Sequence, residues 1–237
     1  MRSEINSVER TPTVGKVLEG IRDEIFMLEL KSGDMFTESA LAEKHEVSRG
    51  SIRSALLILE NEGLISTLSN GRKVIVGINE KFIEDLYETR MLLEQKAAEI
   101  CVVRRNVDCT PLAQAITRFY TLQSCGKADL TLERAQANTG FHRALFEAAA
   151  NSSLLQCWET LEPLLHALVK LNCATLGEKN DDAHSVRSHT AILEMILGRN
   201  AQVIAEIGRH VGVAVGESLD GYRQRLKVTK AGARKKR

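Results

Sequence analysis

Two arginines, Arg49 and Arg53, stand four residues apart in HEVSRGSIRSALLILENEGLI (residues 45 to 65), where Ile52, Ala55, Leu56 and Leu59 recur at helical spacing. Four residues is about one turn, so both arginines leave one face of a helix while the apolar row turns inward. A guanidinium fork can meet guanine O6 and N7 in a bidentate contact, and two forks a turn apart could read neighbouring base pairs of a duplex. Ser48 is placed to cap this helix, and Gly50 and Ser51 are small enough to let a nucleic-acid backbone approach closely. Taken alone, the two arginines read rather as solvated or paired with Glu43 and Glu46, as exposed arginines usually are. Their surroundings have to decide.

A second group of residues suits a different chemistry. Asn138 and His142, in ANTGFHRALFEAAANSSLL, are four apart and share a helical face, and His189 and His210 lie in two later helical stretches. Three imidazoles and an amide oxygen could therefore converge in a bundle interior, where helical folds build metal and ligand sites. Each histidine by itself is an ordinary core or surface residue. Arg90, in ETRMLLE, could grip a carboxylate through two parallel hydrogen bonds or pair along its own helix with Glu94. His166 can also face the interior, whereas His45 and His184 read as exposed.

The elements that must position these groups follow from periodicity. Residues 13 to 29 form a first helix through Val14, Val17, Leu18, Ile21, Ile25 and Leu28. Thr37 caps a short second helix, ESALAEKH, and the Arg-bearing third helix runs from Arg49 to Glu62, ended by Gly63. LISTL, SNG and RKVIVG then read as a two-stranded hairpin with Asn70-Gly71 at its turn. From Asn79 a long helix carries Phe82, Ile83, Leu86, Leu92, Leu93, Ala97 and Ile100, and helices follow at about 109 to 125, 128 to 149, 153 to 175, 182 to 197 and 201 to 226.

The expected fold is mainly α: an N-terminal winged helix-turn-helix over residues 1–77 and a C-terminal all-α helical bundle of about six helices over 78–226. The last eleven residues, KVTKAGARKKR, are basic with nothing to bury and read as a disordered tail over 227–237.

Composition is consistent with this. The chain has 237 residues, 43% apolar and only 4% aromatic, with three prolines, which favours helices packed on helices over a sandwich or barrel. No apolar run approaches the length needed to span a bilayer, and MRSEINSVERTPT has no signal-peptide core, so a cytoplasmic protein without membrane association is expected. Five cysteines without CxxC spacing suit reduced, buried thiols better than a disulfide framework. Residues 1–77 hold ten Lys+Arg against twelve Asp+Glu, a balance of −2, so any duplex binding must use a locally basic face.

The run SGDMFTESALAEKHEVSRGSIRSALLILENEGLI followed by NGRKVIV resembles the GntR superfamily of bacterial transcription regulators over roughly residues 13 to 77. The resemblance implies that Arg49 and Arg53 contact operator DNA and that the wing tip, Asn70, Gly71 and Arg72, reaches the adjacent minor groove or its phosphates. Two departures stand out. Ser39 replaces an arginine common in the family, and Leu57 and Ile58 stand where relatives usually carry polar or basic residues, so Leu57 is expected to pack under the second domain or a partner subunit.

Residues 79 to 226 resemble the all-helical FCD effector domain of the FadR-type branch, through LYETRMLLEQKAAEI, FHRALFEAAANSSLL and HTAILEMILGRN. That resemblance implies a divalent metal, zinc or nickel, at Asn138, His142, His189 and His210, with Arg90 lining the effector pocket. Asn138 replaces the usual Asp, and a neutral amide is a poorer ligand for a hard cation than a carboxylate. Without a protein anion, such an ion favours an effector bearing a carboxylate.

The implied protein is a dimeric, DNA-binding regulator of transcription, a repressor controlled by a small organic acid, with coupling through residues 77 to 82. A metal-dependent hydrolase on the His cluster is the alternative, but no HExxH or comparable base accompanies the histidines. A winged helix serving as a protein-interaction scaffold is a third reading, kept open by Ser39 and the acidic N-terminal balance.

Overall fold

The computed structural model describes residues 12–125, 130–176 and 182–235. The chain divides into two compact units, Met1–Asn79 with Val228–Arg237, and Glu80–Lys227. The boundary falls close to the joint expected from the end of the hairpin.

In the first unit, α1 (Pro12–Phe26) buries Val14, Val17, Leu18, Ile21 and Ile25 along one stripe. β1 (Met35–Phe36) precedes α2 (Glu38–Lys44), where the Thr37 hydroxyl accepts from the Ala40 N–H at 3.2 Å. Glu46, at φ 55°, turns the chain into α3 (Arg49–Asn61). Ser48 caps this helix as expected, its hydroxyl accepting from the Ser51 N–H at 3.1 Å.

The far end of α3 closes in a Schellman motif. Gly63 (φ 75°) donates to Glu60 O at 3.1 Å and Leu64 donates to Leu59 O at 3.0 Å, a conformation that glycine adopts without a Cβ clash. Beside that end, Arg22 of α1 donates to both carboxylate oxygens of Glu62, Nε to Oε2 at 3.0 Å and Nη2 to Oε1 at 2.6 Å, in a largely buried pair. This fork fixes α1 to the C-terminal end of the Arg-bearing helix.

β2 (Ile65–Thr67) and β3 (Lys73–Ile75) form the expected hairpin, but the sheet has three strands, in the order β1-β3-β2 and antiparallel throughout. The added strand pairs Met35 with Val74 and Phe36 with Lys73. Two residues carry no readable alternation, so only the pairing partner reveals them as a strand. The turn is the expected Ser69-Asn70-Gly71. Leu68 donates to Arg72 O and Gly71 to Leu68 O, both at 2.8 Å, with Gly71 at φ 79°, which makes a three-residue loop with a left-handed glycine.

Six helices then follow among the described residues, in the second unit except for α9 from Val228 onward: α4 (Glu80–Val103), α5 (Thr110–Ser124), α6 (Thr131–Ala149), α7 (Ser152–Leu176), α8 (Asp182–Leu197) and α9 (Val203–Lys235). Two expectations need correction. The tail expected to be disordered from residue 227 instead continues α9 to Lys235. Extending an existing helix adds a hydrogen bond per residue with no new nucleus, and Lys, Ala and Arg are good helix formers.

The core face of α4 matches the apolar set read from sequence at Ile83, Leu86 and Ala97 but not throughout. Leu92 is exposed, and the buried stripe runs Ile83, Leu86, Tyr87, Arg90, Glu94, Ala97 and Cys101, with an ion pair in its middle. Among the described residues the cysteines are free, but Cys125 and Cys157 are exposed rather than buried.

Candidate functional site

The N-terminal turn of α3 presents Ser48, Arg49, Gly50 and Arg53 to solvent, with Ser51 half-buried behind its hydroxyl contact to Ser48 (2.9 Å). Gly50 has only Ser48 Oγ near the place its Cβ would take, so its missing side chain serves no internal packing. Arg53 does not pair with Glu43 or Glu46. Its guanidinium holds Glu38 of α2 instead, Nε to Oε1 at 3.2 Å and Nη2 to Oε2 at 2.9 Å, while the side chain stays 71% exposed. That hydrogen bond lowers the Glu38 carboxyl below its ordinary range, so the pair is ionised at neutral pH.

The wing tip carries the remaining expected contacts. Asn70, Gly71 and Arg72 are exposed, and Asn70 Oδ1 accepts from the Arg72 N–H at 3.1 Å, which shapes the turn. Lys73 is engaged with Glu60 Oε2 (2.6 Å) and Thr67 Oγ1 (2.5 Å), leaving Arg72 as the cation that projects from the tip. Ser39 is exposed on α2, and Leu57 remains 47% exposed, so the cover expected for it is not supplied within this unit. His45, expected to be exposed, is half-buried with Nε2 3.7 Å from Glu24 Oε1. The side chain of His184 lies outside the described residues.

In the second unit every helix contributes to one buried cluster. His142 (α6), His189 (α8) and His210 (α9) converge with their candidate ligand atoms all within 4.8 Å of one another. His142 Nε2 lies 3.3 Å from both His189 Nε2 and His210 Nε2. Two nitrogens bound to one tetrahedral ion at about 2.0–2.1 Å stand about 3.3–3.4 Å apart, so these two spacings fit a shared divalent metal.

Burial, then the Arg90 charge, holds the His142 pKa well below its ordinary value, and burial followed by His189 and His142 does the same for His210. Both rings are therefore neutral and able to ligate. Ser188 Oγ lies 3.2 Å from His210 Nδ1 and orients that ring.

Arg90 and Glu94 reach the same place from α4. Arg90 Nε donates to Glu94 Oε1 at 2.6 Å, and Arg90 Nη2 donates to His142 Nε2 at 2.6 Å while standing 3.5 Å from His210 Nε2. The intrahelical pairing of Arg90 with Glu94 read from sequence is present, and the same guanidinium lies against the histidine cluster. A guanidinium can only donate, so His142 Nε2 accepts and its ring proton sits on Nδ1, 3.1 Å from Glu94 Oε1, at an angle short of a hydrogen bond.

Aromatic rings wall the cluster. Phe119 stacks on His189 at 4.9 Å, Phe141 lies 4.2 Å from it, and Trp158 stands 5.9 Å from His142. Tyr87, under the Arg90 guanidinium at 5.3 Å, meets Ser218 Oγ at 2.8 Å, and Asn172 donates to the same oxygen at 3.0 Å.

Asn138 is half-buried one turn before His142, and no hydrogen bond of the cluster reaches it among the described residues. His166 is half-buried beside Thr139 (3.5 Å) and stands outside the three-histidine group. Sequence reading missed Glu94 as a member of the site, as well as Ser188, Tyr87 and Trp158. The available signal was an Arg and a Glu at core positions of the α4 stripe, which need a buried polar partner.

Comparison with known proteins places these two sites in context. Residues 13–75 match the model for bacterial regulatory proteins of the gntR family, and residues 85–212 match the FCD domain. A gluconate operon transcriptional repressor of Bacillus licheniformis is 30% identical over 178 residues, 74% of this chain and 71% of the relative. The corresponding Bacillus subtilis repressor is 28% identical over 155 residues, 65% of this chain and 62% of the relative. The Glc operon transcriptional activator of Escherichia coli K12 is 24% identical over 85% of this chain and 86% of its own.

Among solved structures, Escherichia coli McbR/YncC superposes with a TM-score of 0.62 at 18% identity over 91% of this chain and 99% of that one. A GntR family member from Pseudomonas syringae pv. tomato gives 0.53 at 22% identity over 93% and 89%. These likenesses show the fold. The relatives include both a repressor and an activator, and neither they nor the matched domains support a hydrolase.

Proposed function

The chain belongs to the GntR family of bacterial regulatory proteins and carries an FCD domain, a transcription regulator and not an enzyme, and from that premise we propose a cytoplasmic homodimeric repressor whose operator binding is controlled by a small organic acid. The observation that carries the DNA reading is the exposed N-terminus of α3, where Arg49 and Arg53 project beyond a Ser48 cap with the Arg72 wing tip in the same unit. In this reading α3 enters the major groove, Arg49 and Arg53 meet base edges, and Asn70, Gly71 and Arg72 follow the backbone. Two copies on a two-fold operator double that set.

The effector enters the buried cluster of the second unit. Arg90 supplies a planar donor for a carboxylate, and the charge of such an acid would offset that of a bound divalent ion. A zinc or nickel ion held by His142, His189, His210 and Asn138 would add a Lewis-acidic docking point for the same carboxylate. Effector and operator are linked by a coupling free energy, typically about 1–3 kcal/mol in such systems.

Fluorescence anisotropy with the intergenic DNA upstream of the gene tests the reading. Arg49→Ala with Arg53→Ala removes two base contacts worth about 1–3 kcal/mol each and should abolish the specific complex. Unchanged affinity would overturn the operator assignment and leave the winged helix as a protein-interaction scaffold. A thermal-shift screen of organic acids, with and without zinc or nickel, tests the effector site, because a ligand of the native state raises the melting temperature.

A further inference from the structure

One nitrogen of the cluster is claimed twice. His142 Nε2 is the vertex shared by both 3.3 Å contacts between histidines, and it is also the atom on which Arg90 Nη2 rests at 2.6 Å. An imidazole nitrogen has a single lone pair in the ring plane. It can accept from the guanidinium or bind a metal, and it cannot do both.

Arg90 is not a passing visitor to this position. Its side chain is 2% exposed, Glu94 holds Nε at 2.6 Å, and the Tyr87 ring lies under it at 5.3 Å. The guanidinium does not lose its proton in proteins, so it brings a permanent positive charge to within 3.5 Å of a second candidate ligand, His210 Nε2. A divalent cation at the same point would meet like charge with no carboxylate among its expected ligands, since Asn138 is neutral. Beside the cluster, the buried carboxylate of Glu94 is held by Arg90 through Oε1, while its Oε2 has no hydrogen-bond partner.

We infer that Arg90 is the resident cation of the histidine cluster, and that a divalent metal enters only by displacing its guanidinium from His142. The inference deepens the effector-site reading and rests on it for the identity of the metal ligands. Metal affinity in the wild-type protein is then weakened by the hydrogen bond that must be broken first. That factor is roughly 10- to 100-fold, the equilibrium equivalent of one charge-assisted hydrogen bond.

The test titrates Co²⁺ and Ni²⁺ into chelator-treated full-length protein. The readouts are the Co²⁺ visible bands and quenching of the single tryptophan, Trp158, whose ring stands 5.9 Å from that of His142. Arg90→Gln removes the charge. Arg90→Lys keeps an ammonium for Glu94 but loses the fork that reaches both partners, so it serves if the first variant does not fold. Both should bind metal roughly 10- to 100-fold more tightly than wild type, and adding His142→Ala should erase the gain.

Equal or weaker affinity in a folded variant overturns the inference, as does an absence of metal binding in wild type and variants alike. A zinc-soaked structure of the wild type decides it independently of any substitution. Arg90 Nη2 moved off His142 supports the inference, and zinc bound with that contact intact overturns it. None of these measurements reads operator binding, so the regulator proposal and this inference can fail separately.

Discussion

Replacing Arg22 with Met removes one half of the pair that ties α1 to the end of the Arg-bearing helix. The Glu62 carboxylate then loses both of its hydrogen bonds, 3.0 and 2.6 Å, at a side chain only 8% exposed. Left in a poorly hydrated place without its partner, the carboxylate costs ~3–5 kcal/mol, the range measured when buried ion pairs lose one member.

Hydrogen exchange of α1 and α3 amides in the full chain, converted to opening free energies, reads this unit without the signal of the helical bundle. The expected penalty is ~3–5 kcal/mol, and Arg22→Met with Glu62→Leu should return to within ~1 kcal/mol of wild type. A penalty below ~1 kcal/mol, or one that the double variant does not relieve, would refute the reasoning.

Thiol chemistry checks the packing of the second unit. Iodoacetamide at pH 8 should reach exposed Cys125 and Cys157 quickly and half-buried Cys109 slowly, whereas Cys173 and Cys101, its thiol pushed up to about 11 by burial, should react only after denaturation. Intact mass counts the modified sites, and rapid labelling of Cys101 would contradict the packing of α4. The histidines give a pH signature. An unfolded histidine takes up a proton near pH 6.5, while His142 and His210 are held neutral to well below it, so below pH 6.5 the unfolded chain binds more protons than the folded one. Stability of the chelator-treated protein should be fully present above about pH 7 and fall with acidification by up to ~1.4 kcal/mol per pH unit for each histidine. A melting temperature flat from pH 7.5 to 5 would contradict buried, neutral rings.

Local rules carried the DNA-facing half from the sequence. The Ser48 cap, the Ile52-Ala55-Leu56-Leu59 stripe and the Gly63 stop involve residues within a turn or two of one another, so neighbours in the chain suffice to determine α3 and the outward face of its arginines. The six later helices were legible for the same reason, whereas the convergence of His142, His189 and His210 was implied by the family resemblance rather than by local spacing. The end of α9 was misread because a polar composition says that nothing is buried, whereas helix extension needs only backbone bonds once a helix has started. Periodicity shows which face turns inward but not what waits there. The partner of Arg53 lies fifteen residues away, that of Arg22 forty, and the meeting of Arg90 with His142 spans fifty-two. Those encounters depend on how the elements pack, and packing alone brought a guanidinium to the nitrogen that a metal would need.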